Sequence, residues 1–102
     1  MKYKILQLKD IKATNYAFMS YDFAKTHNFS LDDYSVVYED EIETGRYIEN
    51  TLENIFTKFN ISRPENFKGH SLSISDIVML GGEYWYTDSF GFKQLNKHDL
   101  LQ

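Results

Sequence analysis

The chain has 102 residues and a formal net charge of −4, a length that fits one domain with one packed core. It has no cysteine, which excludes disulfides, thiolate zinc sites and a cysteine nucleophile, and its aromatic content of 17% disfavours intrinsic disorder. We expect a cytoplasmic protein, because the first residues lack a signal peptide's apolar segment and no apolar run approaches the roughly 20 residues of a membrane span.

The first predicted elements are a strand and a helix. The short apolar run from Tyr3 to Leu8 predicts the strand. Residues 16–27 predict the helix, in which Tyr16, Met19 and Phe23 would share one side.

A second strand is predicted where Tyr34, Val36 and Tyr38 alternate with their neighbours in a β-branched and aromatic run. The acidic stretch that follows, from Glu39 to Gly45, predicts a loop.

The clearest helix pattern covers residues 50–59. Its apolar residues are spaced i, i+4, i+7, i+8 and i+11, which makes one stripe of Ile48, Leu52, Ile55, Phe56 and Phe59. The string Asn50-Thr51-Leu52-Glu53 resembles a capping box, so we expect the regular helix to begin there. Asn60 is predicted to end the helix, with Ile61 packing back on its last turn.

The last third of the chain predicts a tight hairpin, because the strand-like runs 77–80 and 83–87 are separated by Gly81 and Gly82. A short final strand, Lys93 to Leu95, follows. The order β-α-β-α-β-β predicts an α+β fold, a two-layer sandwich of a mainly antiparallel sheet with two helices on one face.

One polar cluster could carry chemistry: His70-Ser71-Leu72-Ser73-Ile74-Ser75-Asp76. A hydrolase would use a serine nucleophile, His70 as base and Asp76 or Asp88 as the group that orients it. Neighbours on an extended segment point to opposite faces, and no Gly-x-Ser-x-Gly elbow is present. We therefore favour a structural motif of His70, Ser73, Asp76 and Asp88, and we expect Asp76 to lie at the sheet rim or to be buried with a partner.

No catalytic, cofactor or metal site is predicted. The histidines His27, His70 and His98 are far apart and show no ligand spacing, and no glycine-rich turn leads into a helix with a phosphate-loop signature.

The charge is uneven, because eight acids and one base lie between Asp32 and Glu53. This asymmetry disfavours direct nucleic-acid binding and suits a basic protein partner, with a merely solvated surface as the alternative. The candidate contacts are Glu39, Asp40, Glu41 and Glu43.

Three consecutive aromatic residues, Tyr84-Trp85-Tyr86, cannot all face one side of a strand. Tyr84 and Trp85 are therefore candidate partner contacts, since Tyr and Trp dominate interface hot spots. The alternative is that both faces of the strand are covered.

Several strings of the sequence resemble the YodL-like domain, and together they span nearly the whole chain. They are Gly69-His70-Ser71-Leu72-Ser73-Ile74-Ser75-Asp76-Ile77-Val78, Trp85-Tyr86-Thr87-Asp88-Ser89-Phe90-Gly91-Phe92-Lys93, the start Tyr3–Leu8, and Thr51–Phe56 with Phe59-Asn60. The family supplies no catalytic residue to carry over. Such domains occur in Firmicutes, often on conjugative elements and phage-like islands, so the resemblance implies an accessory protein of mobile DNA that binds a host protein.

The leading hypothesis is thus a non-enzymatic binding module, encoded by a mobile element, that modulates or inhibits a host protein. The alternatives are an anti-defence inhibitor that blocks a host nuclease, a small hydrolase that uses the His70 cluster, and a domain that only forms homodimers.

Overall fold

The computed structural model describes residues 1–96, which form an α+β fold on one five-stranded sheet. The sheet order is β2-β1-β3-β4-β5 and every neighbouring pair is antiparallel, so the predicted class and the antiparallel sheet are confirmed. The predicted chain order β-α-β-α-β-β is also found, followed by the short final strand. The elements are β1 (Lys2–Leu8), α1 (Tyr21–Lys25), β2 (Tyr34–Glu41), α2 (Ile48–Ile61), β3 (Ile77–Leu80), β4 (Glu83–Thr87) and β5 (Phe92–Leu95).

The two helices pack on opposite faces of the sheet, so the expected arrangement with both helices on one face is wrong. Side chains alternate along the central strands, and both sets are apolar: Val78 packs with α2, whereas Ile77 packs with α1. A strand that is apolar on both sides needs a cover on each face. We call the two sides the α1 face and the α2 face.

Helix α2 presents the predicted apolar stripe to the sheet, with Leu52, Ile55 and Phe59 fully buried. The predicted capping box is wrong: Tyr47 is the N-cap, and the Thr51 hydroxyl accepts instead from the Gly45 N–H at 2.8 Å. The predicted end is also wrong, because the helix continues to Ile61.

Helix α1 covers only five residues, far fewer than the predicted 16–27. The chain cannot be helical across Phe18, whose φ is +63°, and the Phe18 N–H donates to the Ser75 hydroxyl at 3.0 Å. This tertiary contact outweighs the local apolar pattern. Tyr16 packs into the core, whereas Met19 is exposed.

The hairpin between β3 and β4 is confirmed. Gly81 and Gly82 have φ values of +59° and +84°. A tight two-residue turn requires such positive values, which residues other than glycine rarely adopt. Leu80 pairs with Glu83 across the turn.

The predicted acidic loop, Glu39 to Gly45, is wrong for its first three residues, since β2 continues to Glu41, whereas residues 42–45 form a loop as predicted. Glu39 pairs with Lys4 of β1, and their charged groups lie 3.4 Å apart. Opposite charges directly across an antiparallel pair favour continued pairing. Glu39, Asp40 and Glu41 therefore lie on an edge strand, and Glu43 lies in the loop that follows it.

Candidate functional site

A buried polar network connects β1 to the segment before β3. The Gln7 amide nitrogen donates to the His70 carbonyl at 2.9 Å and to Oδ2 of Asp76 at 3.1 Å, while the amide oxygen accepts from the His70 N–H at 3.2 Å. A Cβ at position 69 would overlap the Gln7 side chain, so the close approach of Gln7 to this backbone requires glycine. Gln7 thus uses both donors and its oxygen to hold one segment.

Asp76 is the acceptor at the centre of the network and is only 1% exposed. Its Oδ2 also accepts from the Ser73 N–H at 2.9 Å. Burial raises the pKa of Asp76 to about 6, against the lowering effects of the Ser73 N–H, His70 and Gln7. The expectation of a buried Asp76 with partners is therefore met.

The His70 ring serves its own loop. Nδ1 lies 2.7 Å from the Ser71 carbonyl oxygen, so Nδ1 carries a proton and donates this hydrogen bond. Its distance to Oδ2 of Asp76 is 3.9 Å, beyond hydrogen-bond distance. The Ser75 hydroxyl accepts from Phe18, and the Ser73 hydroxyl faces Asp76. The structure brings His70, Ser73 and Asp76 together, but no serine hydroxyl is hydrogen-bonded to the imidazole. Nucleophilic catalysis by a serine requires that hydrogen bond.

Asp88, the fourth residue of the predicted structural motif, lies apart from the network. Its Oδ1 accepts from the Tyr21 N–H at 3.2 Å and from the Ser89 N–H at 2.8 Å. Asp88 therefore ties the start of α1 to the turn between β4 and β5.

The network predicts unequal costs for two substitutions. His70→Ala removes one side-chain hydrogen bond and should lower the free energy of unfolding by about 1 kcal/mol. Gln7→Ala leaves the His70 backbone and Asp76 short of partners and should cost about 2–4 kcal/mol. Urea titrations of both variants measure the difference. A hydrolytic activity that His70→Ala abolished in a folded protein would contradict the structural role.

The four acidic candidates are exposed and lie along the outer edge of the sheet. Met1 and Ile42 exchange two backbone hydrogen bonds of 2.9 Å. Antiparallel alternation then directs the backbone groups of Glu39 and Glu41 away from β1. The Asp40 carboxylate accepts from the Glu41 N–H at 2.8 Å. We call Glu39, Asp40, Glu41 and Glu43 the acidic edge.

The aromatic candidates do not form an exposed patch. Trp85 is only 7% exposed and packs on the α2 face, whereas Tyr84 is half-buried against the α1 face. Trp85 is therefore corrected from surface contact to core residue, and the alternative of two covered faces holds. The most exposed aromatic ring of the described residues is instead Phe90, 96% accessible in the β4–β5 turn, ahead of Tyr47 and Phe18.

Residues 1–96 contain neither a metal-binding cluster nor a membrane-spanning helix. No group of three or more histidine, aspartate or glutamate side chains is placed to hold a metal ion. No helix within that range has the length and apolarity to cross a bilayer. His98 lies outside the described residues.

Comparison with known proteins gives two matches. The family model described as YodL-like domain matches residues 2–97. An uncharacterized protein of Acanthamoeba polyphaga mimivirus is 35% identical over 86 residues, which cover 72% of this chain and 80% of that protein. No solved structure matches significantly.

Proposed function

This chain belongs to the YodL-like domain family, and from that premise we propose that it is a non-enzymatic protein-binding module of a bacterial mobile element. In this proposal it acts in the cytoplasm, where it modulates or inhibits a host protein. It binds neither nucleic acid nor membrane directly.

The acidic edge is the observation that carries the proposal. Its four side chains are exposed, and Lys4 is the one base that pairs with them within the described residues. Charges on an edge strand prevent unwanted strand pairing, and the same charges steer a basic partner during encounter. The edge thus suits selective docking of a basic protein surface.

Two other observations agree with a mobile-element binder. In the polar network, the Gln7 amide, the Asp76 carboxylate and Nδ1 of His70 are engaged in internal hydrogen bonds, which suits a role in holding the fold. The buried Nε2 of His70 has no partner within residues 1–96. The similar mimivirus protein is encoded by a viral genome, which is itself mobile.

A narrower form of the proposal is an anti-defence inhibitor. Carboxylates spaced along a strand present a row of negative charge to a basic channel, so a nuclease whose channel binds phosphates is one partner that fits. Identification of a nuclease as the captured partner would select this form.

The test is the association rate with a partner captured from host lysate and then purified. We expect the wild-type rate to fall between low and high salt, because screening weakens steering. Reversal of Glu39, Asp40, Glu41 and Glu43 to Lys should slow association at low salt by roughly tenfold or more.

The matched control reverses four exposed acids elsewhere, Asp22, Asp32, Glu49 and Glu65, and changes the net charge by the same amount. It should retain most of the wild-type rate. Equal rates for wild type and edge variant at both salt concentrations would remove the acidic edge from the mechanism.

A further inference from the structure

A cavity of about 280 Å³ opens between α2 and the β4–β5 turn. Phe56, Ile74 and Phe92 form apolar walls, and the rings of Phe56 and Phe92 meet edge to face at 6.2 Å between centroids. Small-ligand sites combine such walls with a few polar groups. The size suits one side chain better than a large ligand.

Four polar side chains line the same cavity: Glu53, Thr87, Asp88 and Ser89. Thr87 is only 3% exposed, and its buried hydroxyl has no hydrogen-bond partner within residues 1–96. A hydroxyl that the chain buries and leaves unpaired costs stability, so it calls for a function. Glu53 and Asp88 supply two carboxylates. Asp88 uses Oδ1 for the backbone of Tyr21 and Ser89, and its Oδ2 has no partner in the described part of the chain.

Among the described residues the lining carries no Lys or Arg, and the nearest base in sequence, Lys93, points to the opposite face from its neighbour Phe92. Two negative groups beside aromatic walls fit a cation with an apolar stem. A guanidinium fits better than an ammonium, because its planar surface stacks on rings while its five N–H groups reach several acceptors.

We propose that this cavity binds an arginine side chain of the partner protein. The stem lies against Ile74 and the phenylalanines, and the guanidinium contacts Glu53 and Asp88. A small movement of the lining on binding lets it also donate to the Thr87 hydroxyl, which is buried in the unbound protein. The assignment of this arginine to a partner protein rests on the proposed protein-binding function, but the cavity lies apart from the acidic edge.

The experiment is a titration of isotope-labelled protein with N-acetyl-arginine amide, followed by NMR. We expect saturable shifts at Thr87, Gly91 and Phe92, with a dissociation constant of the order of 1 mM, as befits one side chain without the rest of the partner. The neutral isostere N-acetyl-citrulline amide should bind several-fold more weakly. The absence of saturable shifts, or equal binding of both probes, would overturn the proposal.

Variants locate the site. Glu53→Gln should weaken arginine binding by roughly two- to fivefold, whereas Glu49→Gln, one turn earlier on α2, should leave it unchanged. Shifts centred on the acidic edge instead of the cavity would overturn the cavity site while leaving the proposed function standing. Shifts in the cavity, combined with partner binding that does not depend on salt, would leave the cavity site standing and overturn the proposed docking through the acidic edge.

Thr87→Val separates binding from folding. The valine has nearly the same shape and removes an unpaired hydroxyl, so the variant should unfold at an equal or higher urea concentration. It should bind the arginine probe roughly two- to tenfold more weakly. A variant that lost stability and kept full arginine binding would show that the hydroxyl serves the fold, against the proposal.

Discussion

Replacement of Phe59 by alanine is expected to lower the free energy of unfolding by about 3–5 kcal/mol, the largest effect of any single substitution considered. The ring is fully buried under α2. It meets Phe67, Tyr38 and Tyr3 edge to face, at centroid distances of 4.8, 5.2 and 6.4 Å. Truncation removes these contacts and leaves a cavity that three rigid rings cannot fill. Urea unfolding followed by tyrosine fluorescence measures the loss.

Three controls calibrate this result. Ile61→Ala, on the same helix at 79% exposure, should change stability by less than about 0.5 kcal/mol. Phe56→Ala should cost about 1–2 kcal/mol, because that ring is half-buried. Phe59→Leu should remain folded if the alanine variant does not, at a smaller cost. Equal stability of Phe59→Ala and wild type would contradict the packing described for the α2 face.

Asp76 is expected to make stability fall as pH rises from about 4 to about 7. Its pKa is about 6 in the folded protein and 3.8 as the reference value, so the folded state binds the proton more tightly between these values. The associated stability is fully present below pH 3.8 and is lost as pH rises through 6. The shift corresponds to roughly 3 kcal/mol.

Asp76→Asn isolates this effect, because asparagine keeps an oxygen for the Ser73 and Gln7 donors and cannot ionise. Wild type should lose about 3 kcal/mol relative to this variant between pH 3.5 and pH 7. Asp76→Ala strands both donors and should be about 1–3 kcal/mol less stable than Asp76→Asn at neutral pH. Parallel pH profiles of wild type and Asp76→Asn would contradict the cost of the buried charge.

Elements with a strong local pattern were predictable. The stripe that includes Leu52, Ile55 and Phe59 identified α2, and Gly81-Gly82 identified the hairpin, because both signals lie within one element. Helix α1 was overestimated because Tyr16 and Tyr21 are drawn into one aromatic cluster with Phe29, which fixes them by tertiary contact. The prediction that both helices lie on one face of the sheet was wrong. The continuous apolar run of β3 was the signal against it, because such a strand is covered on both faces.

The network was only half visible in the sequence. The sequence places His70, Ser73 and Asp76 close to one another. The residue that hydrogen-bonds to both His70 and Asp76, Gln7, lies 63 residues from His70 and 69 from Asp76. A lone glutamine inside an apolar strand was the available signal. The strand positions of Glu39, Asp40 and Glu41 were missed, because the lysine opposite Glu39 belongs to β1 and pairing across strands is not a local property.

The position of β1 in the sheet has a consequence for the newly synthesised chain. β1 pairs with β2 on one side and β3 on the other, yet about 70 residues separate it from β3 along the chain. A ribosome that adds about 5–20 residues per second takes roughly 4–14 s to supply that distance. Until then, any strand that Ile5 and Leu6 form with β2 leaves the edge that β3 covers in the folded protein open to other chains. We therefore expect the yield of soluble protein on expression to depend on the speed of translation as well as on the stability of the finished fold.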